Sequence, residues 1–417
     1  MKRKSEAGQA IASVALGLVV LTGIVGLAID MGYLRYQKRR MQSAADSAAI
    51  AGASELAYAT GNYATAAKND SKANGFEDGA NGVTVTSSNP PVDAPFSSVA
   101  NANNYVEVRV HQDVPTFFMR VFGVNTTSLN ATAVAELGSS RGCVYSLDLV
   151  LGITLGGNNL TAPNCGVVDN AVLDLGGGCI TASSIGVVLN LLGGCANPAP
   201  VIGIAPSPDP LQYLTAPVAP GCVQVAKVVV NSPAPTSLPP CLYSGGIQVA
   251  PTNTGAVTFQ PNGIFFLSGI GLQTAGPSDL NANGVTFYVC DSASGIPGCT
   301  GVSASVQIGN TGNINLSAPV NAAAGGIPGV LFFQDRLDTG PACVAGSLIA
   351  CAPTGANMFL TGALYFPVAS LGLGANQPTA YTILVAHSIQ FQGSVSIGTD
   401  YSSLTNGSPI KGAVMVQ

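Results

Sequence analysis

Residues 11–29 form an apolar run without a single charge, and few folds can accept such a segment. As a helix its nineteen residues reach roughly 29 Å at about 1.5 Å per residue, just enough to span a hydrocarbon core of about 30 Å. No turn signal follows. The run passes directly into Asp30-Met31-Gly32-Tyr33-Leu34-Arg35-Tyr36-Gln37-Lys38-Arg39-Arg40 and then into an alanine-rich stretch. The bulky Met31 and Tyr33 and the basic cluster behind them do not suit a signal-peptidase site, so the sequence predicts a retained anchor. Lys2, Arg3 and Lys4 flank one side and Arg35, Lys38, Arg39 and Arg40 the other, so charge bias does not set the orientation. Long domains translocate largely regardless of charge, and cysteine usage favours the large C-terminal part lying outside.

Of the fifteen Lys and Arg residues, seven fall in the first forty positions, leaving Lys68, Lys72, Arg109, Arg120, Arg141, Lys227, Arg336 and Lys411 for the rest. Such a body cannot neutralise a phosphate backbone, and nucleic acid is excluded as a partner class. With 51 Gly and 27 Pro beside 47% apolar residues, a core can form but long helices cannot dominate it, which points to β structure. All ten cysteines follow position 142, none with zinc-knuckle spacing, and His111 and His387 are the only imidazoles. They read as disulfides, with Cys290–Cys299 and Cys343–Cys351 close enough in sequence for local pairs. No cofactor is expected.

Between residues 41 and 58, Ala45, Ala49 and Ala53 share one helical face, which would permit close approach either to partner helices or to the chain's own domain. Residues 61–104 are polar and read as loops. Val106, Val108 and Val110 then alternate with Glu107, Arg109 and His111 as a half-buried strand ended by Pro115. Residues 116–122 read as a short apolar helix stopped by Gly123, and 128–137 as another strand. His111 lacks a convergent companion and reads as a solvated side chain.

Beyond Arg141, residues 153–162 align with 173–182 at an offset of twenty, and 312–319 echo 157–163. Short β-prone segments between Gly and Asn turns at such a spacing predict a parallel β-helix, in preference to an antiparallel β-sandwich. Asp279-Leu280-Asn281-Ala282-Asn283-Gly284 imitates half a calcium loop, but Cys290 stands where the bidentate Glu is needed. Asp335, Arg336 and Asp338 form the densest charge cluster of this region, either acid/base carboxylates or an ion pair securing a turn; the turn is the favoured reading. No catalytic, cofactor-binding or metal-ligating residue is nominated.

Ala7-Gly8-Gln9-Ala10, the apolar run, Asp30-Met31-Gly32-Tyr33 and Arg40-Met41-Gln42-Ser43-Ala44-Ala45-Asp46-Ser47-Ala48-Ala49-Ile50-Ala51-Gly52-Ala53 together resemble the N-terminal module of Flp-pilus (tight-adherence) assembly proteins of the TadE/TadG type. The module up to Leu137 resembles their extracytoplasmic part. Residues 329–336 and 360–367 look like members carrying a β-rich extension. Ser13 stands where a pilin-like processing site would place Glu, and the cation motif of a von Willebrand-type domain is absent.

The resemblance implies a single-pass inner-membrane protein; together with the apolar run and the repeat it gives residues 1–10 cytoplasmic, 11–29 transmembrane, 30–60 a helical extension, 61–140 an extracytoplasmic α+β module and 141–417 a β-solenoid. Its implied partners are the inner membrane, other pilus-assembly proteins or pilin-like helices, and surface glycans. The expected role is non-catalytic pilus assembly or adhesion. The alternatives are an envelope-tethered polysaccharide-active β-helix enzyme and a passive envelope protein.

Overall fold

With no proline between residues 6 and 55, nothing interrupts the first helix, α1 (Glu6–Glu55), which runs for 50 residues. This computed structural model describes residues 6–56, 62–99, 102–139, 142–301, 303–310, 312–321, 326–338, 358–374, 377–405 and 407–416. The chain divides into two units, Met1–Gly138 with Lys411–Gln417, and Ser139–Ile410.

In the first unit, the apolar half of α1 leaves its side chains uncovered, with Leu16 69% and Val19 68% exposed. It has a mean hydropathy of 2.3 and is long and apolar enough to cross a membrane. The other half behaves oppositely. Met41, Ala44, Ala45, Ala48, Ala49 and Ala53 are fully buried against a sheet of β1 (Val83–Ser88), β2 (Tyr105–Pro115), β3 (Thr126–Ser139) and the C-terminal strand Lys411–Met415, in that order. β1, β2 and β3 pair antiparallel. Alanine is the price of proximity: a Cβ on Gly52 would lie 2.9 Å from Val106 Cγ1. The Ala45/Ala49/Ala53 face therefore serves the chain's own core and is not available to partner helices.

Two further expectations change in this unit. Residues 61–104 contain α2 (Tyr63–Ala73) and β1, not loops alone. Only Ala67 and Ser71 of α2 are buried, too few to leave an amphipathic period in the sequence. α2 is tied to α1 by Asn74 Nδ2 donating to Ser47 Oγ at 2.8 Å and by the Ser47 hydroxyl donating to Asp70. Glu107, expected on the solvated face of β2, is buried because its carboxylate accepts the N–H groups of Val92 and Asp93 at 3.0 Å each, and the Arg109 guanidinium.

The second unit is mostly β, and every pairing between its named strands is parallel among the described residues, against the antiparallel sandwich. The twenty-residue offset is a physical register: Thr154 pairs with Asp174, Leu160 with Ile180, Thr161 with Thr181 and Ala162 with Ala182. Like residues lie on like, so apolar side chains form continuous columns such as Phe265, Phe287 and Phe332. The echo of 157–163 in 312–319 is not a neighbour relation, since Leu316 pairs with Ala282 and Leu360.

Strand order departs from chain order at one joint. Thr382–Phe391 pairs with Met358–Leu373 on one side and with Gly142–Ser146 and Ile153–Thr154 on the other, so the first strands of the unit stack upon the last. Ten pairings then separate Val223–Gln224 from Val201–Ile202 along the stack, although the two strands are near in sequence. At about 4.8 Å per step this is about 48 Å, which residues 203–222 can bridge when extended at about 3.3 Å each.

Four disulfides pair all eight described cysteines: Cys143–Cys165, Cys179–Cys195, Cys222–Cys241 and the expected Cys290–Cys299. Cys343 and Cys351 lie outside the described residues. Cys179–Cys195 and Cys222–Cys241 tie a terminal strand to its one neighbour, where backbone pairing is half complete. Peptide mapping of non-reduced protein should recover these four pairs. Replacing Cys179 and Cys195 together by Ser removes a constraint worth about 2–4 kcal/mol and should increase proteolysis around residues 190–202 while the central strands stay protected. Unchanged proteolysis would show that backbone pairing alone holds this end.

Candidate functional site

The second unit carries two surfaces on which chemistry could be built. The first grows from the strand Val330–Gln334, buried on both faces. Its neighbours align Phe266, Tyr288, Phe333 and Tyr365 in a second aromatic column, with ring centroids 4.9, 5.2 and 5.1 Å apart in succession. A column facing away from the inner one would be wet unless something covered it. The cover is residues 203–221, a strand-free segment carrying Pro206, Pro208, Pro210, Pro217 and Pro220 and broken by a turn at residues 210–213, laid along the stack with Leu211 fully buried.

Arg336 fastens this strap. Its Nη1 and Nη2 donate to the carbonyls of Leu214 and Leu211 at 2.9 and 3.0 Å, and its Nε donates to Tyr365 Oη at 2.8 Å. The guanidinium lies 5.6 Å from the Phe333 ring centroid and 5.3 Å from that of Tyr365. Asp209, on the strap, accepts the Tyr365 hydroxyl and the Leu211 N–H, with Arg336 Nε 3.9 Å away. Asp335 accepts the Tyr288 hydroxyl and the Leu337 N–H.

Burial dominates the electrostatics here. It raises the Asp209 carboxyl above its usual range, opposed by the Tyr365 hydroxyl, the Leu211 N–H and Arg336. Burial likewise raises the Tyr288 and Tyr365 phenols, with the neighbouring carboxylates adding to the effect. The Asp335–Arg336–Asp338 cluster thus gathers Asp209, Tyr288 and Tyr365, none of which is near it in sequence. The proline spacing of 203–221 was the one available signal. Chemically the arrangement is a lock, because the three donor nitrogens of Arg336 are committed to the strap and to Tyr365.

The second surface is the outward face of a neighbouring set of strands. Ser237, Thr258, Asn281, Asn315 and Phe359 stand in register, the last four each flanked by inward apolar residues such as Val257 and Phe259 or Ile314 and Leu316. An open groove there is lined by the polar Thr258, Asn281, Asn283, Asn315 and Ser317 together with the apolar Phe259, Pro261 and Ala282. The calcium-loop imitation falls on this face: residues 280–282 form a strand, and Asp279 accepts the Asn313 N–H at 2.7 Å. Its side chains serve the stack. The lining is uncharged and rich in amide and hydroxyl groups, which suits a neutral polyhydroxylated ligand better than an ionic one.

The histidines lie elsewhere. His111 Nδ1 meets Asn130 Oδ1 at 2.9 Å on the sheet of the first unit, and His387 Nε2 lies 3.4 Å from Asp148 in the second. Asp148 also caps a turn by accepting the N–H groups of Leu149 and Leu151.

Residues 8–55 match the Flp pilus-assembly TadE/G-like family, and residues 44–135 match the Tad-like Flp pilus-assembly family. Neither curated proteins nor solved structures give a match.

Arg336→Met keeps an apolar stem over Phe333 and Tyr365 but removes every donor, and should cost the second unit on the order of 2 kcal/mol. Residues 203–221 should become the first site of limited proteolysis. Arg336→Lys should restore little, because one ammonium cannot reproduce the forked contacts. A variant as stable and as resistant as the parent would refute the lock.

Proposed function

We propose that this chain, a Tad-type Flp pilus-assembly protein by its matches over residues 8–135, is a single-pass envelope component whose β-rich unit stands outside the inner membrane and serves pilus assembly or adhesion without catalysis. The observation that carries the reading is that the two matches run continuously from the apolar half of α1 into the sheet it packs on. Four disulfides, all beyond residue 142, support an oxidising compartment for the second unit. Its parallel in-register columns support a β-solenoid architecture, stapled at both ends.

Within this reading, the Thr258–Asn281–Asn315 face is the adhesive surface and neutral surface glycans are its ligand class. The polysaccharide-active enzyme draws less support, since the candidate carboxylate Asp335, and Asp209 beside the same cluster, are engaged with tyrosine hydroxyls in the strap lock.

Deletion of the gene should abolish surface pili and adherence while the pilin itself is still made; intact piliation would overturn the assembly role. Protease added to spheroplasts should remove everything beyond about residue 60, whereas full protection would establish the opposite topology. Asn281→Ala with Asn315→Ala should reduce adherence several-fold with the fold intact. Asp335→Asn with Asp338→Asn should leave it within a few-fold of the parent, and loss of a glycan-cleaving activity in that folded double variant would favour the enzyme.

A further inference from the structure

The hairpin joining β2 to β3 ends in a tip of apolar side chains that the sheet does not use, with one charge among them, the exposed Arg120, whose Nε turns back to donate to the Thr116 carbonyl at 3.0 Å. Phe117 is 51%, Phe118 44%, Val121 80% and Phe122 70% exposed. The tip is nonetheless well formed: the Thr116 N–H donates to the Asn125 carbonyl at 3.0 Å and its hydroxyl to that of Val124, closing the neck. Residues expected to form a helix make a single 3-10 turn, Met119–Phe122, ended by Gly123 in the left-handed region at φ 85°. An ordered tip that leaves three phenylalanines and a valine exposed is built to meet something apolar.

Its attachment to α1 identifies what that is. The Asp30 carboxylate, at the end of the apolar run, accepts the N–H groups of Phe117, Phe118 and Met119 at 2.9, 2.9 and 2.6 Å. The Phe117 ring meets Tyr33 edge-on at 5.2 Å. Phe118 reaches further back, so close to α1 that a Cβ on Gly26 would lie 2.7 Å from its Cγ. Gly26 is inside the apolar run, about 6 Å along the helix axis before Asp30. The tip therefore points back along the helix, toward the depth at which α1 is wholly apolar.

We propose that this tip is a second membrane contact, inserted into the leaflet from which α1 emerges, with the bilayer itself as its occupant. The inference rests on reading residues 11–29 as a membrane anchor. Once that run is in hydrocarbon, Phe118 is at acyl-chain depth and Val121 and Phe122 enter the same layer. An open groove beside the tip, lined by Met31, Leu34, Arg35, Lys38 and Met119, sets two cations where lipid phosphates begin. An apolar tip below a basic rim is the side-chain distribution of an interfacial anchor.

The chain contains no tryptophan, so a single introduced indole reports unambiguously. The full-length protein would be reconstituted in vesicles of phosphatidylethanolamine and phosphatidylglycerol with ordinary or brominated acyl chains. Three variants are compared: Phe122→Trp at the tip, Leu16→Trp within the apolar run, and Val92→Trp at a position 67% exposed elsewhere in the first unit. Brominated lipid should remove most of the emission of the first two and leave the third unchanged. Quenching of Leu16→Trp without quenching of Phe122→Trp would overturn the proposal, placing the tip in water or against another protein. Failure of Leu16→Trp to quench would overturn the membrane reading of α1, and the proposal with it.

Discussion

β3 and the C-terminal strand are neighbours in one sheet, and this adjacency constrains everything between them. The chain leaves the first unit at residue 139 and returns at 411, so the intervening unit must bring its beginning and its end together. A parallel stack built in simple chain order would put them at opposite ends. Here the first strands, Gly142–Ser146 and Ile153–Thr154, pair instead with Thr382–Phe391, close to the end of the unit. The stack is in effect circularly permuted, and its two free edges fall in mid-sequence, at Val201–Ile202 and Val223–Gln224.

That solution creates two needs, and both are met by chemistry local to the consequence. A segment must travel the length of the stack, and residues 203–221 do so without strand pairing, with prolines limiting the conformations open to it and Arg336 fixing the turn at its middle. The terminal strands must hold with a partner on one side only, and Cys179–Cys195 and Cys222–Cys241 each bind such a strand to its neighbour. Cys143–Cys165 secures the first strand beside the joint at which chain-distant residues meet. These three disulfides are therefore placed where backbone pairing is weakest or least local, while Cys290–Cys299 closes a local loop after a strand paired on both sides.

What the sequence disclosed follows from the range over which each interaction acts. The offset of twenty between residues 153–162 and 173–182 was legible because successive strands repeat the same inward and outward positions. The alternation of Val106, Val108 and Val110 was legible because one face of β2 meets a helix. The permuted joint was not, since no local pattern in Leu384 or Val144 says that they pair. The site was half legible: Asp335, Arg336 and Asp338 stood out as charge in an uncharged region, but Asp209 and Tyr365 join them only through the fold. Glu107 misled for a related reason, because an alternating pattern cannot reveal two backbone N–H groups arriving from residues 92 and 93.

Asp30 shows how the first unit reconciles a membrane-length helix with a sheet. A carboxylate at the end of an apolar run would ordinarily need water, and its near-complete burial would be costly. Three N–H groups of a turn remove that cost, and the same contacts bind the β2–β3 hairpin to the helix. The alanine face from Ala44 to Ala53 makes a second attachment, about 20–35 Å further along α1. Two attachments that far apart fix the direction of the helix relative to the sheet, where one alone would leave a swivel. The sheet is thus held at a set angle to the apolar run, and the residues of the hairpin tip reach the depth along α1 at which their exposure makes physical sense.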